Sequence, residues 1–306
     1  MERAAKLMLL DSASLWFRAF YGVPGSVRAP DGRPVNAVRG FIDHVARLVR
    51  EHAPTDLVAC LDEDWRPEFR VAAVPSYKSH RVVEYVSAGT PDLEDVPDEL
   101  TPQIPVILDV LAAFGIATAG SPGYEADDVI ATIAAGTALP TDVVTGDRDL
   151  FQVVRPGVRV LYTVERGRPY DDAEVAARYG IPNAAAYADF ALLRGDPSDG
   201  LPGVPGIGEK TAATLLTRYG SVTALLAALD AGENVPVAGK LAKGRAYLTA
   251  AAPVMAVRTD VPLGPISSRL PTAANDPAAV AELAVRHGLE SSVERLTQAL
   301  VELART

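Results

Sequence analysis

Nine carboxylates fall at the ends of predicted strands or the starts of predicted helices. They lie in five separate stretches: Asp11; Asp62; Glu125, Asp127 and Asp128; Asp147 and Asp149; and Asp196 and Asp199. Clustered carboxylates repel one another unless a cation lies between them. The adjoining bases, chiefly Arg148 and Arg194, are too few to pair so many acids. The pattern therefore predicts a nest for divalent metal. With oxygen donors alone and no His or Cys close by, hard ions such as Mg²⁺ or Mn²⁺ suit it better than zinc.

The hydrophobic pattern says where that nest would sit. Lys6 to Leu10 and Asp56 to Leu61 read as short apolar strands, and Asp142 to Thr145 and Val158 to Tyr162 are β-branched enough to join them. Helical patterns run through Ala37 to Glu51, Pro102 to Phe114 and Glu125 to Ala135. Strands alternating with helices predict an α/β fold with a parallel sheet covered on both faces. In such a sheet the ligand lies beyond the carboxyl ends of the strands, where Asp11, Asp62 and Asp147 fall.

From about Asp171 the strand signals stop. Ala-rich amphipathic stretches take over at Asp172 to Tyr179, Ala184 to Leu193, Lys210 to Tyr219 and Val222 to Leu229. The expected division is an α/β domain over residues 1–172 and a helical domain over residues 173–306. Pro277 to Thr306 reads as two surface helices without a functional signal. Ser87 to Pro102 carries four prolines or glycines and the acids Asp92, Glu94, Asp95, Asp98 and Glu99, and is expected to be a flexible connection with solvated charge.

At 306 residues, 48% hydrophobic and 22% charged, the chain can bury a full core. Apolar runs such as Val110 to Ala117 fall far short of a membrane span, and Met1 to Leu10 leads straight into Asp11 instead of a cleavage site. A cytoplasmic protein is expected. The one cysteine, Cys60, lies in an apolar run and is expected to be a buried strand thiol. A net charge of −10 would argue against a nucleic-acid partner, yet the nine nest acids account for all but one unit of it. Between residues 66 and 81 the bases Arg66, Arg70, Lys78 and Arg81 face only Glu68. The four histidines, His44, His52, His80 and His287, are scattered without metal-ligand spacing.

Two motifs sharpen the metal reading. In Gly123-Tyr124-Glu125-Ala126-Asp127-Asp128, three acids within four residues exceed what capping a helix requires. In Thr145-Gly146-Asp147-Arg148-Asp149, a pair at i and i+2 on a strand-to-helix turn can face one site. A third stretch, Gly203-Val204-Pro205-Gly206-Ile207-Gly208-Glu209-Lys210, invites a phosphate-loop reading, but Glu209 stands where the phosphate-binding lysine should be. A Gly-x-Gly turn between two short helices instead resembles a helix-hairpin-helix at about residues 200–219. Such a turn meets the DNA backbone through its N–H groups without reading sequence.

Taken in order, Leu10-Asp11, Leu61-Asp62, Phe69-Arg70, Tyr77-Lys78, the acids from Glu125 to Asp128, Thr145 to Asp149, Gly195 to Asp199 and Gly203 to Lys210 resemble a bacterial 5′ nuclease of the flap endonuclease family. The resemblance implies a PIN-like, resolvase-like mixed sheet flanked by helices, a helical arch at about residues 66–101, and a potassium ion at the helix-hairpin-helix. By that likeness Lys78 and Arg81 approach the scissile phosphate. Arg70, Gly206, Gly208 and Lys210 contact DNA, and the backbone of Gly203 and Ile207 holds the potassium. The implied activity is 5′ to 3′ exonuclease and flap cleavage in replication and repair, including RNA primer processing, with 5′-phosphate products. Its partner is DNA with a 5′ flap, nick, gap or overhang, an RNA–DNA hybrid being a further candidate, and it acts as a monomer. Many relatives continue into a polymerase, whereas this sequence stops at Thr306, so a stand-alone nuclease is expected. Ser12, Leu61 and Gly200 depart from common family residues, and none of them removes a ligand.

For chemistry, Asp11, Asp62, Glu125, Asp127 and Asp128 are assigned mainly to a tighter metal site, and Asp147, Asp149, Asp196 and Asp199 either to a second or to action through ordered water. Trp65 is expected to anchor the foot of the arch. Three rivals stand beside this reading. A haloacid-dehalogenase-type phosphatase needs a second Asp two residues after the first, where Ala13 stands. A toxin-like ribonuclease would be shorter and lack the helix-hairpin-helix. A junction-binding protein with a dead site is disfavoured because no acid is missing.

Overall fold

Leu7–Asp11 is buried along its whole length, as a central strand covered on both faces must be. In the computed structural model, which describes residues 4–86 and 92–305, it is β1. The other strands are β2 (Asp56–Cys60), β3 (Val82–Glu84), β4 (Leu93–Glu94), β5 (Ala117–Ala119), β6 (Thr141–Thr145), β7 (Val158–Tyr162) and β8 (Arg168–Tyr170). The main sheet runs β5-β2-β1-β6-β7-β8. All its pairings are parallel except β7 with β8, so the sheet is mixed. Leu7 pairs with Asp56 and Thr141, and Asp11 with Cys60, so the carboxyl ends of β1, β2 and β6 lie side by side. β3 and β4 form a separate two-stranded ribbon.

The helices are α1 (Ser12–Gly22), α2 (Asn36–His52), α3 (Glu68–Ala73), α4 (Gln103–Phe114), α5 (Ala126–Gly136), α6 (Asp172–Tyr179), α7 (Tyr187–Arg194), α8 (Glu209–Tyr219), α9 (Val222–Asp230), α10 (Ala238–Met255), α11 (Pro277–His287) and α12 (Glu290–Arg305). Successive strand residues point to opposite faces, and this alternation divides the core in two. Leu7, Leu9, Val58, Cys60, Val143 and Val160 face a layer that includes Val129 of α5, Leu192 of α7 and Leu248 of α10. Met8, Leu10, Leu57, Ala59, Val144 and Leu161 face Phe41 of α2, Phe114 of α4 and Leu300 of α12. Cys60 is the buried strand thiol expected.

Three expectations are corrected. The C-terminal helices are not free surface elements of the helical half: α12 lies along α2, α11 lies along α4, and Leu296, Ala299 and Leu300 are fully buried there. A bidentate Arg295–Asp43 pair at 2.9 Å fixes the seam. The boundary at residue 173 therefore misplaces these helices. Among its described residues the arch segment is less helical than expected, holding α3, a 3-10 turn at Ser79–Arg81 and the β3–β4 ribbon. The charge of residues 87–102 is not all solvated either. Asp92 pairs with the buried Arg66, and Glu94 is half-buried in β4; residues 87–91 lie outside the described residues. Among the described residues no single helix is long and apolar enough to cross a membrane.

Candidate active site

A cavity of about 230 Å³ opens at the carboxyl ends of the strands and is lined by Asp11, Asp62, Glu125, Asp127 and Asp147, with Phe17, Trp65, Lys78, Arg81 and Glu94 around them. Each acid is placed by a short local device. Asp11 ends β1 and caps α1, accepting from the Ser14 amide at 3.1 Å and from Thr145 Oγ1 of β6 at 2.6 Å. Asp62, two residues past β2, accepts from the Ala126 amide at 2.6 Å and so ties itself to the first turn of α5. Glu125 is the N-cap residue of α5, and Asp127 stands in that helix's first turn. Asp147 follows β6, and its carboxylate accepts from the Asp149 amide at 2.8 Å.

Burial and crowding raise the acids. Burial, with Asp62 and Asp147 adding repulsion, pushes Asp11 up to about 7 despite the bonds from Thr145 and Ser14. Burial and then Glu125 push Asp62 up to about 6, and burial pushes Asp199 up to about 6. Asp127 and Asp149 are raised first by burial and then by Asp147. Glu125 runs the other way, because Lys78 and Arg70 together outweigh its burial. Lys78 Nζ pairs with Glu125 and donates to the Trp65 carbonyl at 3.3 Å. Its backbone sits at φ 47, a left-handed conformation that costs a non-glycine residue on the order of 1 kcal/mol or more.

Among the described residues no three acids are drawn together closely enough to grip an ion as they stand. The donor set nevertheless fits hard divalent ions. Six oxygen-donor acids line one cavity; Asp11, Asp62 and Asp127 among them are raised by burial and then by their acidic neighbours, and Asp149 Oδ1 nearby is buried without any hydrogen-bond partner. A larger cavity of about 590 Å³ opens at the other ends of β6 and β7. Its buried acid, Asp142, is already neutralised by Lys6 at 2.6 Å and Arg159 at 2.7 Å, so it lacks the unbalanced charge of the acid nest.

The remaining expected residues sort by geometry. Asp128 is corrected: it is wholly buried below the cavity, held bidentately by Arg70 at 2.7 and 2.8 Å and by the Arg258 amide at 2.8 Å. Arg70 is corrected with it. At 3% exposure the guanidinium bonds Asp128, Glu125 and the Val254 carbonyl, so it faces no solvent from which DNA could come. Asp149, Asp196 and Asp199 stand beyond the cavity lining. Both oxygens of Asp196 are taken, one by Ser198 and the other by Arg194 at 3.3 Å. Arg81 donates to the Ser198 carbonyl at 2.8 Å and lies 3.8 Å from Asp199. Trp65 Nε1 donates to the Asp92 carbonyl at 2.7 Å, below the β3–β4 ribbon.

The glycine-rich turn lies between α7 and α8, so the first helix of the motif starts upstream of residue 200. Gly203 needs its φ of +68 and has no room for a side chain: a Cβ would stand 2.4 Å from the Gly195 amide nitrogen. Ile207 is buried, its amide bonded to the Val204 carbonyl at 2.9 Å. Gly206 and Lys210 are exposed, and Gly208 caps α8 without a side chain, leaving the helix's first amides open.

Sequence reasoning missed Thr145, Tyr77, Ser14 and Glu94. Tyr77 donates to Glu125 at 2.7 Å. Ser14 Oγ accepts from the Gly146 amide at 2.9 Å. Tyr77 and Thr145 stood inside motifs already singled out, so only their roles were hidden; Glu94 was set aside with the acids of a supposed loop.

Comparison with known proteins identifies the family and the fold. The sequence model of the 5′-3′ exonuclease N-terminal resolvase-like domain matches residues 6–180, and that of the 5′-3′ exonuclease C-terminal SAM fold matches residues 182–278. A 5′-3′ exonuclease of Mycobacterium tuberculosis is 55% identical over 309 residues, covering 96% of this chain and 97% of that protein. One from Streptomyces coelicolor is 54% identical over 301 residues, covering 96% and 99%. DNA polymerase I of Mycobacterium bovis is 42% identical over 232 residues, which are 74% of this chain and 24% of the polymerase. Among solved structures, a bacteriophage T5 flap endonuclease in a complex with DNA and metal ions superimposes with a TM-score of 0.63 at 17% identity, covering 98% of this chain and 100% of that one. The bacteriophage T5 5′-exonuclease with zinc bound gives 0.64 at 17%, covering 98% and 99%. At such identities the two structures show a shared fold. Matched along nearly its whole length by relatives of similar size, the chain belongs to the family of bacterial 5′-3′ exonucleases.

Proposed function

We propose that this exonuclease is a structure-specific 5′ nuclease. It would hydrolyse DNA phosphodiesters at 5′ flaps and 5′ ends, leave 5′-phosphate products, and serve primer removal and repair during replication. The observation that carries the reading is one cavity in which acids from five stretches of chain meet the cations Lys78 and Arg81. Asp11, Asp62, Glu125, Asp127 and Asp147 would hold one Mg²⁺ or Mn²⁺. Asp149 and Asp199 would hold a second, with Asp196 keeping their loop in place. Bound there, divalent ions lower the pKa of water and offset the charge of the phosphate.

The chain's own groups do the rest. Lys78 and Arg81 sit where a phosphate entering between the acids would meet them, and supply positive charge as the phosphorus centre becomes crowded. Trp65 and Glu94 of the ribbon complete the cavity wall along which a single strand would pass. Gly206, Gly208 and Lys210 receive a duplex phosphate at the open amides of α8, and the Gly203 and Ile207 carbonyls hold potassium beside it. Single-turnover assays on 5′-flapped, nicked, single-stranded and RNA substrates, with and without Mn²⁺, test this. Cutting is expected at the flap junction and nick with metal alone; equal cutting of RNA, or cutting in excess chelator, would overturn it.

A further inference from the structure

The last turn of α10 and the residues just after it are bonded to both acidic turns of the active site. The Val254 carbonyl accepts from Arg70 Nε at 3.2 Å, and the Arg258 amide donates to Asp128 Oδ1 at 2.8 Å, behind the turn that carries Glu125 and Asp127. Gln152 grips the same segment from the other turn. Its Nε2 donates to the Met255 carbonyl at 3.1 Å and to the Asp149 carbonyl at 2.8 Å, and its Oε1 accepts from the Val257 amide at 3.0 Å. Two backbone carbonyls and one amide thus converge on a single side chain, and two more backbone groups are held by Arg70 and Asp128.

The other end of α10 is bonded to the glycine-rich turn. Lys240 Nζ donates to the Gly206 carbonyl at 2.8 Å. Gly244 is pressed against Val204 so closely that a Cβ would stand 2.9 Å from a Val204 methyl. The helix between spans 18 residues, or about 27 Å at 1.5 Å per residue. It is packed on α7 and α3 along the way.

We infer that α10 is a strut that fixes the distance between the duplex-phosphate seat and the cleavage site. Gln152 and Asp128 are the positioning residues that fasten its active-site end. The inference rests on the proposed function, because it needs a duplex phosphate at the hairpin. A duplex rising about 3.4 Å per base pair needs roughly 8 base pairs to bridge the strut. Shorter stems reach the acids but not the hairpin, and longer ones reach both. The strut thereby turns binding at the hairpin into registration at the acids, so its loosening should appear as a loss of dependence on duplex length.

The test compares 5′-flapped stems of 4, 8 and 16 base pairs, each closed by a hairpin loop, in single turnover with Mn²⁺. Wild type is expected to cut the 16-base-pair stem at least tenfold faster than the 4-base-pair stem. In Gln152→Leu that ratio should fall below threefold, and cuts should spread by a nucleotide or more around the junction. Gly244→Ala, which wedges the far end while favouring helix, should give the same collapse with an unchanged circular dichroism spectrum. General destabilisation would slow all stems alike and leave the ratio intact. A wild-type tenfold ratio retained in both variants overturns the strut and leaves the nuclease reading standing. No length dependence in wild type overturns the hairpin reading, and the strut with it.

Discussion

At the residue scale the site rests on a few oppositely tuned charges. Lys78 is the sharpest case, since its ammonium is held against Glu125 on a strained backbone. If it meets the phosphate chiefly in the transition state, Lys78→Ala should bind flapped DNA normally and lower the single-turnover rate by roughly 10² to 10³. A rate within about threefold of wild type would leave it a surface charge. Arg70→Gln, by contrast, strands the buried Asp128 without its partner and should cost about 3–5 kcal/mol of stability. Thermal unfolding checks it, and weakened DNA binding at unchanged stability would restore Arg70 as a DNA contact. His44 contributes a pH dependence away from the acids. Burial, then Arg47 and Arg18, lower it to about 4, so the folded form keeps the ring neutral where the unfolded chain takes up a proton. Stability contributed there is complete above pH 6.5 and is lost as pH falls toward 4. Chemical denaturation across that range should show His44→Gln losing less than wild type.

At the element scale, what was legible followed from local pattern. β7 and α6 run as the sequence predicted, and β1, β2, β6, α2 and α5 differ from their predicted limits by a residue at one or both ends, because their periodicity and burial agree. The short strands β5 and β8 were missed: three residues carry no alternation to read, and their pairing with β2 and β7 decides them. The acids that form the cavity were legible because each closes a strand or opens a helix. Asp128 was not, since its spacing in the first turn of α5 resembles its neighbours' and only Arg70, 58 residues away, turns it inward. The arch root is pinned in the same nonlocal way. The Lys78 amide donates to the Asp199 carbonyl at 3.0 Å, and at Gly200 a Cβ would lie 2.4 Å from the Ser76 carbonyl oxygen. Gly200→Ala, strained further by a φ of +71, should lift the arch off this loop. Faster proteolysis between residues 76 and 86 in the variant would report it, and an unchanged rate would count against the pin.

At the scale of the whole molecule, charge is the term that divides the folded state against itself. Gathering repelling carboxylates in one cavity is unfavourable until cations arrive, so Mg²⁺ or Mn²⁺ should raise the thermal unfolding midpoint, and chelator should lower it and abolish cleavage. Ca²⁺, with its looser geometry, should stabilise without supporting cleavage. A midpoint indifferent to every divalent ion would mean that the acids are already balanced within the protein.

The return of α12 to α2 also bears on how the chain is made. The first 60 residues carry β1, α1, α2 and β2, yet the part of α2 that packs on α12 stays uncovered until residues beyond 290 have left the ribosome. During that interval this part of α2 is open to any sticky neighbour, the setting in which nascent chains aggregate or recruit chaperones. A fragment cut at residue 278, where the second family model stops, would make that exposure permanent. It should be recovered mainly from inclusion bodies, however intact its acids.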